Sequence, residues 1–374
     1  MRIVMIGGGL AAATAATELR KRGFDGEVVI FAAEPHLPYE RPPLSKGILQ
    51  GKEEFTAAVV HDAAWYDTHH VDLRVGVTVT AIDPAARTVT ADGHGTLTYD
   101  RLLLAPGAEP RRFALADEVG EPIYLRTIED SELLRSRLRA RQRVVIVGGG
   151  WIGLEVAAAA RIAGADVTVF EAGALPLLGV LGREVAEVFA DLHRYHGVDL
   201  RLNSHVTEAD LSGADVVVVG IGAIPRTALA EEAGLAVENG VLVDETLRTS
   251  DPDIYAIGDV ANHLHPVLGR RIRVEHWDTA IRQGKTVAAN LLGGSDEYVK
   301  LPYFFTDQYD LGMEYFGSVG PTGYDRVDVE GTIGPAADGA FRAYWVKDGH
   351  VVAAMHGNDW DAAGDVRASI GTSR

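Results

Sequence analysis

The chain has 374 residues, of which 47% are hydrophobic and 24% are charged, so we expect two or three globular domains with sizeable cores. The formal net charge of −18 disfavours a nucleic-acid partner, and no apolar run approaches the roughly 20 residues that a membrane-spanning helix needs. There is no cysteine, which excludes disulfides, thiolate metal sites and redox-active thiols.

The first predicted element is a buried strand formed by the apolar residues 3–6. Because this strand starts almost at Met1, it leaves no room for a cleavable signal peptide, and we expect a cytoplasmic protein. Three glycines at 7–9 follow, then an alanine-rich helix to about Arg22 and a second strand at 28–31. This strand–turn–helix–strand order is typical of dinucleotide binding.

The positions within this first glycine turn have separate roles. Gly7 permits the tight turn, and Gly9 lets the backbone approach a pyrophosphate at the positive end of the helix. Ala12 is small enough for the helix to pack closely on the strand. Glu34, two residues beyond the position where an acid usually binds the ribose, is the candidate ribose ligand.

The same pattern recurs at residues 144–171, so a second domain with a second dinucleotide is predicted. Gly148 and Gly150 occupy the two turn positions, and Gly153 is the small residue for helix packing. Glu171 ends the following strand, where its carboxylate can bind both ribose hydroxyls and would repel a 2′-phosphate. No arginine follows closely in sequence, so NADH is favoured over NADPH. One glycine turn could be only a tight turn, but two in this context favour nucleotide binding.

Several motifs resemble those of the oxygenase-coupled, NADH-dependent ferredoxin reductases and occur in the same order as in that family. They are EPHLPYERPPLSK at 34–46, YLRT at 124–127, GIGAIP at 220–225, TSDP through GD at 249–259, VEHW at 274–277 and FFTDQY at 304–309. The resemblance covers residues 1–360. It implies non-covalently bound FAD, NADH as co-substrate, and an iron–sulfur ferredoxin that serves a cytochrome monooxygenase or a Rieske-type oxygenase.

The resemblance also implies a glutathione-reductase-like α/β fold with two Rossmann-type dinucleotide-binding domains. The FAD domain is expected at 1–110 and 236–297, the NAD domain at 111–235, and a smaller α+β interface domain at 298–374. Residues 254–259 are predicted to form a late strand that returns to the first sheet and ends in a turn before a helical stretch. A further helix is predicted from Thr279 to Leu291.

Further cofactor contacts are implied by the resemblance, residue by residue. They are Ala11, Arg41, Val79, Arg126, Ile152, Gly222, Gly258, Asp259 and Trp277. Asp259 is expected to accept hydrogen bonds from the ribityl chain of FAD, with a plain helix cap as the alternative. Trp277 is expected to flank the flavin ring, with a core position as the alternative. Arg126 could serve either the pyrophosphate or the dimethylbenzene side.

A candidate catalytic pair joins two distant segments of the sequence. Lys46 follows a Pro-Pro-Leu-Ser run that proline makes stiff, and Glu155 lies two residues after Gly153 on the second nucleotide helix. We hypothesise that Lys46 and Glu155 form an ion pair at the nicotinamide, where the lysine also contacts the cofactor and biases the electronics of the flavin. The alternative is that they are two surface charges that never meet.

Docking of the ferredoxin calls for local positive charge. Ferredoxins are acidic, so a reductase with a net charge of −18 needs a cationic surface for their encounter. Arg282 and Lys285 share one face of a predicted helix and are the candidate docking residues, with three arginines at 270–273 just before them. The alternative is a solvated helix. A rival arginine run at 135–143 is expected to be a solvated helix end.

Three local features depart from the family or invite a second interpretation. Phe305 stands where the family usually has a tryptophan between flavin and ferredoxin, which puts an electron-relay role for this ring in doubt. Residues 105–107 read Ala-Pro-Gly in place of Ala-Thr-Gly, so a hydroxyl is lost. The histidine pairs at 193/196 and 263/265 lack a third ligand, and no metal site is predicted.

Other enzymes with this architecture require particular residues, and the sequence shows whether those residues are present. Disulfide reductases need a cysteine pair, and peroxide- or water-forming NADH oxidases need one cysteine, so neither can be built here. A membrane quinone reductase would need an amphipathic C-terminal anchor, whereas residues 360–374 are polar. The alternative that stays open is an NADH-binding flavoprotein with a sensing or scaffolding role, resembling relatives of apoptosis-inducing factor.

Overall fold

The chain divides into two compact units, each built from segments that are separate in sequence. The first unit comprises Met1–Glu40, Thr56–Glu109 and Ile224–Lys300, and the second comprises Arg41–Phe55, Pro110–Ala223 and Leu301–Arg374. This computed structural model describes residues 1–320 and 322–374. The predicted division into three domains, with boundaries at 110, 235 and 297, stays a prediction.

The first unit combines one parallel sheet with two small sheets and four α-helices. Its strands are Arg2–Ile6, Glu27–Ala32, Val71–Val75, Val79–Asp83, Thr88–Ala91, Gly95–Thr98, Arg101–Leu104, Val241–Val243, Ile254–Ala256, Ala261–His265 and Arg270–Ile272. Its α-helices are Leu10–Lys21, Ala63–Thr68, Ala228–Glu232 and Trp277–Leu291. Two further short strands, Ala108–Pro110 and Ala223–Pro225, lie where the segments of the units meet in sequence.

The parallel sheet of the first unit explains its most apolar stretches. Its five strands follow the order Ile254–Ala256, Arg101–Leu104, Arg2–Ile6, Glu27–Ala32 and Val71–Val75. Every neighbouring pair is parallel, and strands covered on both faces are continuously hydrophobic. The predicted return of a late strand to the first sheet is confirmed, because Ile254–Ala256 pairs with Arg101–Leu104.

Two helices of the first unit approach each other closely at a glycine. A Cβ added to Gly284 on helix Trp277–Leu291 would lie 2.9 Å from the carbonyl oxygen of Ala11 on helix Leu10–Lys21. The later helix begins at Trp277, two residues before the predicted start. The cause is a cap, since the His276 side chain accepts a hydrogen bond from the Asp278 N–H at 3.2 Å.

The prediction of a helical stretch after Asp259 is wrong. The chain makes only the single 3₁₀ turn Gly258–Val260 and then enters the strand Ala261–His265. That strand is paired on both sides, in parallel with Val241–Val243 and in antiparallel with Arg270–Ile272. Hydrogen bonding to strands on both sides stabilises the extended structure of this segment, and sequence periodicity cannot reveal such pairing.

The second unit contains a parallel sheet, an antiparallel sheet and the remaining helices. Its strands are Arg143–Val147, Asp166–Phe170, Asp199–Arg201, Val216–Val219, Tyr303–Gln308, Leu311–Gly317, Arg326–Ile333, Gly339–Lys347 and His350–Gly357. Its α-helices are Ala114–Val119, Ile128–Arg137, Trp151–Ile162, Leu178–Tyr195, Glu208–Ser212 and Ala363–Ala368. Over residues 1–320 and 322–374, none of the helices has both the length and the apolar character of a bilayer crossing.

The parallel sheet of the second unit has four strands in the order Asp199–Arg201, Asp166–Phe170, Arg143–Val147 and Val216–Val219. Its central pair, Arg143–Val147 and Asp166–Phe170, flanks the helix Trp151–Ile162 in sequence, so the second strand–turn–helix–strand unit forms as predicted. The strand Val216–Val219 pairs with Arg143–Val147 on the other side. This sheet therefore places the second glycine turn at the carboxyl end of its central strand.

The antiparallel sheet near the C-terminus packs on a helix of the same unit. Its strands follow the order Tyr303–Gln308, Leu311–Gly317, His350–Gly357, Gly339–Lys347 and Arg326–Ile333. Phe341 and Trp345 from this sheet share one buried cluster with Leu181 and Phe189 of helix Leu178–Tyr195. The indole N–H of Trp345 donates to the Leu181 carbonyl oxygen at 3.0 Å. These five strands thus form a sheet whose core includes a helix from the middle of the chain.

Trp345→Phe should lower the free energy of unfolding by about 2 kcal/mol, because it leaves the Leu181 carbonyl without its donor and opens a small cavity. Trp360→Phe is the matched control, since Trp360 is 56% exposed and its loss should change stability by no more than about 0.5 kcal/mol. Equilibrium urea unfolding measures both variants. Equal losses would contradict the anchoring role assigned to Trp345.

Candidate functional site

The first glycine turn follows a strand of the first unit's parallel sheet. At its first glycine there is no room for a side chain. Gly7 has φ +113°, and an added Cβ would lie 2.1 Å from the carbonyl oxygen of Ala105. Ala105 follows the neighbouring strand Arg101–Leu104, so the turn lies where two parallel strands end side by side. Ala12 is fully buried, as expected for the small residue at which helix packs on strand. The predicted roles of both positions therefore have a steric basis.

The second glycine turn repeats this geometry in the second unit. Gly148 has φ +105°, and its added Cβ would lie 2.4 Å from the carbonyl oxygen of Gly220, just after strand Val216–Val219. An added Cβ at Gly153 would lie 2.1 Å from the Gly148 carbonyl oxygen. Only glycine fits these positions, because the clashing atoms belong to the backbone.

Both turns fit a nucleotide pyrophosphate, as the free space at their last glycines shows. A Cβ at Gly9 would meet nothing within 4 Å, and one at Gly150 would have only the Gly220 carbonyl oxygen at 3.8 Å. Each glycine is the N-cap of its helix, and neither helix has an acidic residue in its first turn. The first backbone N–H groups of a helix have no intrahelical acceptor and attract anions. Each turn can therefore hold a phosphate group close to its backbone.

Glu171 lies beside the second turn in a fixed orientation. One carboxylate oxygen accepts a hydrogen bond from the Gly149 N–H at 2.8 Å, and the other accepts from the Gly173 N–H at 2.6 Å. A carboxylate oxygen has further lone pairs, so both oxygens can still accept from ribose hydroxyls. Nearby, Ile152 is 41% exposed in the first helical turn, and Gly222 has φ +102° with open space around its Cβ position.

Sequence reasoning missed an arginine beside Glu171. Strand Asp199–Arg201 pairs with Asp166–Phe170, which places Arg201 opposite Phe170, and its guanidinium lies 5.0 Å from the phenyl centroid. Its charge is compensated, because it pairs with Asp199 at 2.9 Å and with Asp210 at 3.3 Å. The expected preference for NADH therefore keeps its basis.

Two predicted FAD residues of the first unit, Ala11 and Gly258, lie side by side. A Cβ added to Gly258 would lie 3.4 Å from the Cβ of Ala11. The φ of +73° at Gly258 sets up the 3₁₀ turn that carries Asp259, and the buried side chain of Gln283 accepts the Gly258 N–H at 2.7 Å. Trp277 is the first residue of its helix. Sequence reasoning did not predict the role of Gln283.

Four other predicted FAD contacts have their own surroundings. Glu34 accepts a hydrogen bond from the Tyr39 hydroxyl at 2.5 Å, and Val79 is buried at the start of strand Val79–Asp83. In the second unit, the Arg41 guanidinium donates to the carbonyl oxygen of Arg126. The structure thus brings Arg41 and Arg126 together, as their shared assignment to one cofactor suggested.

The hypothesised ion pair of Lys46 and Glu155 forms within the second unit. The Lys46 Nζ lies 2.7 Å from Glu155 Oε1, and the Glu155 side chain is only 4% exposed. Two hydroxyls complete the site, since Thr306 donates to Oε1 at 2.6 Å and Ser45 donates to Oε2. The carboxylate is held as an acceptor by three donors, so the alternative of two isolated surface charges is wrong. That the pair faces a nicotinamide stays a prediction.

The two hydroxyl donors were not predicted, although both lie in motifs that the sequence displays. Ser45 immediately precedes Lys46, and Thr306 immediately follows Phe305. The Lys46 Nζ also lies 5.1 Å from the centroid of the Phe305 ring. Beside them, burial and the Glu155 charge raise the pKa of Asp307, and Lys46 opposes this shift. A signal existed, because a buried carboxylate needs hydroxyl or amide donors near it.

The proposed docking residues differ in how far their charge is available. Lys285 is exposed on helix Trp277–Leu291. Arg282 instead pairs with the buried Asp278 at 2.6 Å on the same helix. Of the arginines before them, Arg271 donates to two backbone carbonyls and Arg273 pairs with Glu275. Internal pairing therefore leaves Lys285 as the main candidate on this surface.

The buried histidines act as neutral structural groups. Burial lowers the pKa of His193 and of His263 to about 4 in each case. His193 is hydrogen-bonded to Gln308 at 2.8 Å, and His265 lies 3.1 Å from the Lys300 carbonyl oxygen. Within the described parts of the chain, no group of three or more histidine and acidic side chains could hold a metal ion.

Comparison with known proteins assigns the chain to a family. The sequence profile of the pyridine nucleotide-disulphide oxidoreductases matches residues 1–284. The chain belongs to this family. It is 40% identical to the ferredoxin–NAD(+) reductase component of the anthranilate 1,2-dioxygenase system of Burkholderia cepacia, over 99% of this chain and 92% of that protein. It is 37% identical to rhodocoxin reductase of Rhodococcus erythropolis, over 89% of this chain and 81% of that protein.

A solved structure supports the same assignment. Putidaredoxin reductase, in its covalent complex with putidaredoxin, matches with a TM-score of 0.91 and 33% identity, covering 98% of this chain and 91% of that chain. The resemblance to oxygenase-coupled ferredoxin reductases and the predicted α/β fold class are thereby confirmed. Since the sequence has no cysteine, this member cannot use thiols of its own for the disulphide chemistry in the family description.

Gly9→Ala should weaken FAD binding by about tenfold or more and leave the unfolding temperature of the cofactor-free protein almost unchanged, because its Cβ meets only open space. Gly7→Ala is the contrasting variant. It should lower both the affinity for FAD and the unfolding temperature, since its Cβ would clash with the Ala105 carbonyl. Titration of the cofactor-free proteins with FAD and thermal unfolding measure the two effects. Unchanged FAD affinity in Gly9→Ala would contradict the pyrophosphate position.

Proposed function

We propose that this protein is an FAD-containing NADH:ferredoxin oxidoreductase that supplies electrons to an oxygenase, either a cytochrome monooxygenase or a Rieske-type enzyme. One observation carries the proposal: two dinucleotide turns occur in a chain that has no cysteine. Thiol relays are excluded, so electrons that enter from a nicotinamide must leave through the flavin to an external acceptor. Two of the proteins reported above are named as reductases of ferredoxin and of putidaredoxin.

The first unit is proposed to hold FAD. Gly7 and Gly9 bring the backbone to the pyrophosphate, Asp259 accepts from the ribityl hydroxyls, and Glu34 serves the ribose. When bound, FAD accepts a hydride from NADH and can pass the electrons on singly, which a nicotinamide cannot do. Gln283 holds the Gly258 N–H and so keeps the Asp259 turn in place.

The second unit is proposed to bind NADH. Gly148 and Gly150 bring the backbone to its pyrophosphate, and Glu171 accepts from the ribose hydroxyls while repelling a 2′-phosphate. Lys46 and Glu155 are proposed to orient the nicotinamide end, since a buried ion pair offers a fixed dipole that water cannot screen. Both groups act by position.

The acceptor is proposed to be an acidic iron–sulfur ferredoxin that docks near Lys285. A single exposed cation contributes mainly to the rate of encounter, so its effect should depend on ionic strength. A sensing or scaffolding role is not proposed, because the relatives reported above are named as reductases. A cytoplasmic location stays a prediction.

The purified protein should be yellow, and anaerobic NADH should bleach its flavin faster than NADPH does. Adding ferredoxins from the same organism should then give rapid reduction of cytochrome c, because the ferredoxin carries electrons away one at a time. Stopped-flow spectroscopy measures the first step, and steady-state turnover measures the second. A flavin that NADH reduces but every ferredoxin leaves reduced would contradict the reductase and favour the sensing role.

Lys285→Glu should raise the Michaelis constant for ferredoxin severalfold and leave ferricyanide reduction unchanged, because only the protein acceptor docks at this surface. Lys347→Glu, at an exposed strand end in the second unit, carries the same change in charge and serves as the matched control. Steady-state kinetics at low and high salt compare the two variants. Equal shifts in both would show a general charge effect and refute the docking assignment.

A further inference from the structure

Behind the Lys46–Glu155 pair, buried polar side chains form a continuous row within the second unit. Thr306 Oγ1 donates to Glu155 Oε1 at 2.6 Å and in turn lies 3.2 Å from Gln308 Nε2. The other end of the Gln308 amide, Oε1, lies 2.8 Å from His193 Nε2. Thr306, Gln308 and His193 are all fully buried, so no water competes for these bonds.

The charge of Glu155 determines which atom donates at every step of this row. An ionised carboxylate only accepts, so Thr306 must give its single proton to Glu155. The Thr306 oxygen can then only accept, which requires the NH₂ group of Gln308 to face it. The Gln308 carbonyl therefore faces His193, whose Nε2 must carry the proton.

The far end of the row is closed by a neutral histidine and a tyrosine. Because burial lowers the pKa of His193 to about 4, its ring carries one proton near neutral pH, and the row assigns that proton to Nε2. The remaining nitrogen, Nδ1, lies 3.5 Å from the Tyr309 hydroxyl. Burial raises the pKa of Tyr309, so this hydroxyl stays a donor. The Tyr309 ring stacks on His196 at 3.6 Å and covers this end.

We infer that Thr306 is a positioning residue for hydride transfer, which holds the Glu155 carboxylate against Lys46, and that Gln308 and His193 fix the direction of its hydroxyl. This inference rests on the proposed function, in which Glu155 orients the nicotinamide. Strand geometry explains the arrangement, since residues 306 and 308 lie on one face of strand Tyr303–Gln308. Helix Trp151–Ile162 supplies Glu155, and helix Leu178–Tyr195 supplies His193.

The row should matter for catalysis because Thr306 and Lys46 share one carboxylate oxygen. Without the hydroxyl, Oε1 keeps only the Lys46 ammonium as its donor. The Gln308 NH₂ group would also lose its acceptor inside the core. The carboxylate would then be held by two donors, Ser45 and Lys46, instead of three, and the nicotinamide would meet a less ordered pair.

Thr306→Val removes the hydroxyl at nearly constant volume and should slow the limiting rate of flavin reduction by NADH about tenfold. The dissociation constant for NADH should change much less, because the pyrophosphate and ribose contacts are untouched. Thr306→Ser keeps the hydroxyl and should restore the wild-type rate. Stopped-flow reduction over a range of NADH concentrations separates the rate from the affinity. Equal slowing by valine and serine would indicate packing and overturn the inference.

A double-mutant comparison tests whether Thr306 acts through Glu155. Glu155→Ala alone should slow flavin reduction, and adding Thr306→Val to it should cause no further slowing. Multiplied effects would mean that Thr306 acts independently, and would refute the inference. If Thr306→Val fails to fold, Gln308→Met breaks the next bond of the row and should give a smaller slowing of the same kind.

The histidine tautomer provides a readout that does not depend on turnover. In protein labelled with ¹⁵N-histidine, His193 should show its proton on Nε2 in the wild type and in Thr306→Ser, with the signal assigned by its loss in His193→Gln. In Thr306→Val the Gln308 amide can reverse, so the Nδ1–H form should gain population. An Nδ1–H signal in the wild type would overturn the inference.

The outcomes for the inference and for the proposed function are distinct. If NADH does not reduce the wild-type flavin, the proposed function fails, whatever the His193 spectrum shows. If NADH reduces the wild type and Thr306→Val at the same limiting rate, the function stands and the inference fails.

Discussion

Burying the Glu155 carboxylate is the constraint on which much of the second unit depends. An ionised carboxylate away from water costs several kcal/mol unless a cation and hydrogen-bond donors surround it. The donors come from two segments far from it in sequence. Ser45 ends the proline turn Pro42–Ser45 and Lys46 follows it, whereas Thr306 lies in the antiparallel sheet. One buried charge thereby ties the proline turn and the late sheet to helix Trp151–Ile162, and polar residues are required in each.

The two glycine turns show how one backbone solution is used twice with different tolerances. In each, the first glycine meets a carbonyl of the next strand end at a distance that excludes any Cβ, while the last glycine faces open space. The packing position differs, since the first helix accepts Ala12 but a Cβ at Gly153 would clash with the Gly148 carbonyl. The two turns therefore share one backbone geometry, and each helix sets its own packing distance.

Several arginines of this acidic protein are neutralised by ion pairs with nearby carboxylates. Arg273 and Arg282 belong to the predicted docking region, and Arg201 was found only in the structure. Each of the three pairs with a nearby carboxylate. Such pairing compensates the charge of Arg201 and leaves Lys285 as the exposed cation of its helix. The protein has a net charge of −18, and an acidic acceptor would meet few unpaired cations on this helix. The rate of docking should therefore depend on ionic strength.

The sequence by itself determined the two nucleotide turns, the order of strands and helices around them, the family and the exclusion of thiol chemistry, because these depend on residue types at short, fixed spacings. It also proposed the Lys46–Glu155 pair. The partners Ser45, Thr306, Gln308 and His193, the strand after Asp259 and the neighbour Arg201 were decided only by the tertiary structure. Hydrogen-bond partners and strand pairings join residues that are distant along the chain, and the local spacing of residue types does not predict such contacts.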